Sequence, residues 1–146
     1  AALATELARD GDLAGLPVML RQMKRRVALL TALADLAGAW PLERVTGALT
    51  ALADRAVDLS LRRLVEAEVR RGKLPDATDA GGMVALAMGK MGAGELNYSS
   101  DIDLICLFDE TRHDDWQEAR AAFIRVTRRM TAILSDVVLV NRAGRL

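Results

Sequence analysis

Asp101 and Asp103 stand one residue apart at the head of the apolar run "DIDLICLF", residues 101–108. Successive side chains of a strand point to opposite faces, so both carboxylates would project together while Ile102, Leu104, Cys106 and Phe108 face a core. At two residues' separation along a strand their Cβ atoms lie about 6.6 Å apart, close enough to converge on one ion or two neighbouring ions. Like charges at that range repel, and a bound cation is the natural compensation. Hard oxygen ligands favour Mg²⁺ over zinc, and with one cysteine and one histidine in the chain no Cys/His cluster competes.

The twelve residues before the pair, "GKMGAGELNYSS" (89–100), hold three glycines, a lysine and two serines. Gly89, Gly92 and Gly94 would let the backbone approach a bound group and aim N–H groups at an anion, with Lys90, Ser99 and Ser100 as further donors. A strand, a phosphate-friendly turn and a carboxylate pair suit phosphoryl or nucleotidyl transfer, in which the protein positions groups and neutralises charge. The run is neither a Walker A loop nor the Gly-x-Gly-x-x-Gly dinucleotide fingerprint. Each part alone also reads as turn or cap chemistry, and Glu95 and Asn97 fit either role.

These residues need a frame. Pro17 opens a helix whose stripe is Leu20, Met23, Val27, Leu30, Ala34 and Ala37, stopped by Gly38, with Arg21, Lys24 and Arg25 on its solvated face. A second helix runs from Pro41 to Gly72 on Leu42, Val45, Leu49, Leu52, Ala56 and Leu59, long enough to allow a bend near 58–60. Residues 73–82, "KLPDATDAGG", read as a linker between a helical section, 1–72, and a mixed section, 83–146. In the latter, "MVALAMG" and "IDLICLF" suit strands, and "DETRHDD" turns the chain. A helix then starts at Trp116, capped by Asp114 or Asp115, with Trp116, Phe123 and Met130 toward the core. "VVLV" (137–140) reads as a last strand and "NRAGR" as a hairpin turn. His113 and the arginines at 120, 125, 128 and 129 read as surface residues, and Cys106 as a buried, inert thiol. The expected class is α+β: a helical N-terminal section, then a partial sheet with flanking helices.

Composition narrows the function. Twenty basic and twenty acidic residues leave no net charge, so any anion site is local and nucleic acid is not an expected partner. Aromatics make up 3% of the chain, too few for a base-stacking platform. A single cysteine, no membrane-length apolar run and no signal-peptide pattern lead to an expectation of a cytoplasmic protein without membrane contact.

"MGKMGAGELNYSSDIDLICLF" resembles the signature of the glutamine synthetase adenylyltransferase/adenylyl-removing family, within the nucleotidyltransferase superfamily. The helix containing "LRQMKRRVALLTALADLAG", the helix from Pro41, and "ILSDVVLV" extend the resemblance over most of the chain from about Leu20. The superfamily pattern is a hydrophobic residue, glycine and a small residue, then an Asp-hydrophobic-Asp. Met88, Gly89 and Lys90 match the first part, with lysine where glycine or serine is usual, and Asp101, Ile102 and Asp103 the second.

The resemblance implies a nucleotidyltransferase-fold sheet. Asp101 and Asp103 would be the catalytic carboxylates holding Mg²⁺, and Gly89, Lys90, Ser99 and Ser100 the phosphate and nucleotide contacts. "ELNYSSDIDL" looks like the family's adenylyl-removing copy. That copy removes AMP from a tyrosine of glutamine synthetase by phosphorolysis and releases ADP, so phosphate, ADP and ATP are implied small partners and a PII-type nitrogen-signalling protein an implied regulator. The alternatives are the adenylyl-transferring copy and a non-catalytic interaction module. The superfamily places a third carboxylate on a strand beyond "VVLV", so residues 83–146 are expected to form a partial core that is inactive by itself.

Overall fold

The computed structural model describes residues 13–138. Two helices open it, α1 (Leu16–Leu36) and α2 (Leu42–Arg70). Pro17 lies in the first turn of α1, where its missing N–H costs nothing, and Gly38 beyond the end takes φ +63°, a left-handed stop that glycine adopts without strain. α2 runs as a single stretch of 29 residues, with no break at 58–60. Its buried face combines Val45, Ala53, Ala56, Val57, Leu61, Leu64 and Val65.

Packing shifts the stripe expected on α1. Leu16, Leu20 and Thr31 are buried, whereas Leu30 is 63% exposed and Ala37 is exposed. The Thr31 hydroxyl escapes the burial penalty by donating back to the Val27 carbonyl at 2.8 Å. Lys24, expected on the solvated face, is partly buried, and that burial lowers its pKa from the ordinary lysine value.

After α2 the chain reverses through a 3-10 turn, Thr78–Gly82. Asp79 (φ 48°), Ala80 (φ 54°), Gly81 (φ 64°) and Gly82 (φ 84°) are successive left-handed residues. Two of the four lack glycine's freedom, so outside contacts must hold the run. Leu74 and Ala80 bury themselves beside it. The Asp109 N–H donates to the Gly82 carbonyl at 3.1 Å, Arg112 Nη2 to the Thr78 carbonyl at 3.3 Å, and His113 Nε2 to the Gly81 carbonyl at 3.0 Å. His113 is therefore no plain surface residue: its ring also meets Phe123 edge-on, with 5.4 Å between centroids.

Strands β1 (Met83–Met88) and β2 (Asp103–Phe108) form a two-stranded antiparallel sheet in which Met83 pairs with Phe108 and Met88 with Asp103. A lone pair of strands is marginal in water, and this one survives by laying one face on helices. Met83, Ala85, Ala87, Leu104, Cys106 and Phe108 supply that face, and Phe108 stacks against Phe123 with centroids 4.8 Å apart. Cys106, expected to be buried, lies only partly buried there, and burial raises its pKa from the ordinary thiol value. Between the strands comes the single helical turn α3 (Gly89–Gly92).

The last described helix, α4 (Trp116–Val138), is capped by Asp115, whose Oδ1 accepts from the N–H groups of Gln117 (3.1 Å) and Glu118 (3.0 Å). It buries Ala119, Ala122, Phe123, Val126, Met130, Leu134 and Val137, packing on both α1 and α2. Three expectations change here. Trp116 is 47% exposed at the helix start, outside the packed face. Val137 and Val138 are helical, because the α4 periodicity carries through to a buried Val137 and tertiary contact overrides β-branched preference. The rest of "VVLV" and the "NRAGR" turn lie outside the described residues.

Arg125 is the third. It reaches across to Glu68, whose side chain is 2% exposed, donating from Nη2 at 2.7 Å and Nε at 3.2 Å, while Arg71 Nη1 donates at 2.9 Å. Burial pushes the Glu68 carboxyl up, but the hydrogen bonds and charges of Arg125 and Arg71 outweigh it and leave the pKa below its ordinary value. No helix among the described residues is long and apolar enough to cross a membrane.

Candidate functional site

The segment from Gly89 to Asp103 is a loop fastened at several points. Met91 and Leu96 are 4% exposed and plug into the core. Gly92 is required by space: a Cβ there would meet the Ala87 carbonyl oxygen at 2.5 Å, so α3 can fold back on β1 only without a side chain. The Leu96 N–H donates to the Thr50 hydroxyl of α2 at 3.3 Å, and Thr50 in turn donates to the Thr46 carbonyl at 2.9 Å. Asn97 organises the next turn, its Oδ1 accepting from the Ser99 N–H at 3.0 Å and the Ser100 hydroxyl at 2.9 Å.

This anchoring delivers Asp101 and Asp103 to the mouth of the sheet. Both side chains are exposed, Asp101 just before β2 and Asp103 as its first residue. Both line a cavity of about 420 Å³ whose other wall is α4. Gly89 lies against Asp103, since a Cβ on Gly89 would stand 3.5 Å from Asp103 Oδ2, and its φ of +56° is left-handed. Asp103 therefore links the two, lying against Gly89 and sharing the cavity with Asp101.

The remaining expected donors are spread around it. Lys90 and Ser99 are exposed on the loop. The Ser100 hydroxyl is engaged with Asn97, and its residue lines a second, apolar cavity of about 100 Å³ behind the loop, with Leu20, Lys24 and Leu49. Two residues that sequence reasoning passed over share the carboxylate cavity: Thr131 and Ser135, one helical turn apart on α4. Their i, i+4 spacing was the available signal, but it places them on one face without saying that the face meets Asp101 and Asp103.

Among the described residues no group of three or more His, Cys, Asp or Glu is placed to enclose a metal. Two exposed carboxylates on an open cavity do not suit a protein-caged zinc or calcium ion. They do suit Mg²⁺, which binds one or two carboxylates and completes its shell with water and substrate phosphate.

A family model described as glutamate-ammonia ligase adenylyltransferase matches residues 1–139. Relatives called bifunctional glutamine synthetase adenylyltransferase/adenylyl-removing enzyme include a protein of Bradyrhizobium diazoefficiens, 51% identical over 125 residues, covering 81% of this chain and 13% of that protein. One from Rhodopseudomonas palustris strain HaA2 is 45% identical over 143 residues, 92% of this chain and 14% of its own length. One from Xanthobacter autotrophicus is 42% identical over 136 residues, 88% and 14% respectively. The chain thus spans about one seventh of the length of the curated relatives it matches. No solved structure matches it.

Proposed function

Because this chain belongs to the glutamate-ammonia ligase adenylyltransferase family, we propose that its carboxylate cavity is the metal and phosphate half of an adenylyl-removing site acting on glutamine synthetase. The observation that carries the reading is that Asp101 and Asp103 line one opening, with Gly89 set against Asp103. Removal is preferred to transfer here because the hydroxyl-rich approach "ELNYSS" resembles the family's adenylyl-removing copy. In this reading an oxygen of hydrogen phosphate attacks the AMP phosphorus, the bond from phosphorus to the tyrosine oxygen breaks, that oxygen takes up the proton the phosphate gives up, and ADP leaves. Asp101 and Asp103 would hold Mg²⁺, which would supply neutralisation of the charge that builds on the reacting oxygens. Gly89, without a side chain, lets a phosphate approach the backbone beside Asp103, and Lys90 and Ser99 supply donors around it, while Ser100, whose hydroxyl donates to Asn97 Oδ1, shapes the loop that carries them. A PII-type regulator and a cytoplasmic setting accompany the same reading.

The test uses the polypeptide carrying these residues at the length of its relatives. With adenylylated glutamine synthetase, phosphate and Mg²⁺, ADP should form, and Asp101→Ala or Asp103→Ala should lower the rate at least about 100-fold. If those variants abolish AMP transfer from ATP to unmodified glutamine synthetase but spare phosphorolysis, the site is the transferring copy. Full rates in both reactions would mark these residues as non-catalytic.

A further inference from the structure

Asp101 and Asp103 are held by different means. Asp103 is the first residue of β2 and pairs with Met88, so the sheet register fixes its backbone. Asp101 precedes that ladder and has no place in it. What leads into Asp101 is a closed set of hydrogen bonds between Asn97 and the two serines. Asn97 Oδ1 accepts from the Ser99 N–H at 3.0 Å and from the Ser100 hydroxyl at 2.9 Å. The Asn97 N–H donates to Ser100 Oγ at 3.0 Å, and the Ser100 N–H donates to the Asn97 carbonyl at 3.2 Å. All but one of these bonds end on Ser100, the residue covalently joined to Asp101.

The clamp starts from a fixed point, because Leu96 is buried and its N–H donates to the Thr50 hydroxyl of α2. On the other side of Asp101, Ile102 is only partly buried against the core. A single exposed hydrogen bond contributes little against water, but these act together on one residue. Two carboxylates can share a cation only while both keep their places, and the groups that orient metal-binding side chains set affinity along with the ligands themselves. We propose that Asn97 is a positioning residue of the candidate site: through Ser100 it holds Asp101 at the separation from Asp103 at which the pair shares one cation. The inference rests on the reading of that pair as a Mg²⁺ site, and it requires no contact between Asn97 and metal or phosphate.

The far end of β2 supplies a control, a turn of the same kind in which Asp109 Oδ1 accepts from the Thr111 N–H at 3.0 Å and the Thr111 hydroxyl at 2.6 Å. The test uses the polypeptide at the length of its relatives with Mn²⁺ as the probe, and follows the Mn²⁺ binding that Asp101→Ala and Asp103→Ala remove. Asn97→Ala should weaken that binding about tenfold, and Ser100→Ala, which takes away the other side of the clamp, should match it. Asn97→Asp keeps the accepting oxygen and should bind as the unaltered protein does. In phosphorolysis kcat should fall about as far in Asn97→Ala, with KM for adenylylated glutamine synthetase unchanged. Asp109→Ala should bind Mn²⁺ normally, whatever it loses in thermal midpoint. Normal Mn²⁺ binding by folded Asn97→Ala overturns the proposal, as does equal weakening in Asp109→Ala or failure of Asn97→Asp to keep the affinity. If instead Asp101→Ala and Asp103→Ala bind Mn²⁺ undiminished, the metal reading itself has failed, and this inference with it.

Discussion

A methyl group on Gly92 would stand 2.5 Å from the Ala87 carbonyl oxygen, and neither backbone can yield without moving the turn that leads to the carboxylates. Gly92→Ala should therefore cost about 1–3 kcal/mol in urea unfolding and should also disturb Asp103, whereas Gly94→Ala, strained by φ +76° but meeting nothing within 4 Å, should cost about 1 kcal/mol. Glu68 makes the complementary case. Removing Arg125 leaves a buried carboxylate with Arg71 alone, and Arg125→Ala should cost about 3 kcal/mol. The sign of the pH dependence follows from the lowered pKa of Glu68. As the pH falls, the unfolded chain takes up this proton first. The stabilisation is fully present above the unfolded value of about 4.3 and is lost as pH drops through the folded one. Thermal midpoints should fall below about pH 5, less steeply in Glu68→Gln. At this scale the sequence placed a strand beginning beside Asp101 and Asp103, where the structure starts it at Asp103, and said nothing of Arg125, because its partner lies 57 residues away.

At the level of elements, legibility followed periodicity. Both long helices, both strands and the Asp115 cap were readable because each is specified by neighbours in sequence. Asp115→Ala should lower stability by about 1 kcal/mol, measurable by thermal unfolding. What periodicity could not supply was which face meets which. The α1 stripe turned away from Leu30 toward Thr31, and α4 ran on through a buried Val137, because partners chose those positions. Thr131 and Ser135 stayed hidden for the same reason.

Taken whole, the molecule is organised so that one core serves the helices and the sheet alike. Phe123 touches Phe108 and His113 while α4 packs on α1 and α2, so Phe123→Ala should cost about 3–5 kcal/mol and melt helices and sheet in a single transition. Probes of helix content and of the Trp40 and Trp116 environments should then report one midpoint. The left-handed reversal at 79–82 adds an ordering in time. Its long-range hydrogen bonds come from Asp109, Arg112 and His113, about thirty residues further on. During synthesis β1 emerges from the ribosome with its direction unset, while α1 and α2 already have each other. The sheet acquires its full frame only when the chain has been made past Phe123, so a translational pause before that residue should leave a nascent helical pair trailing an unformed sheet.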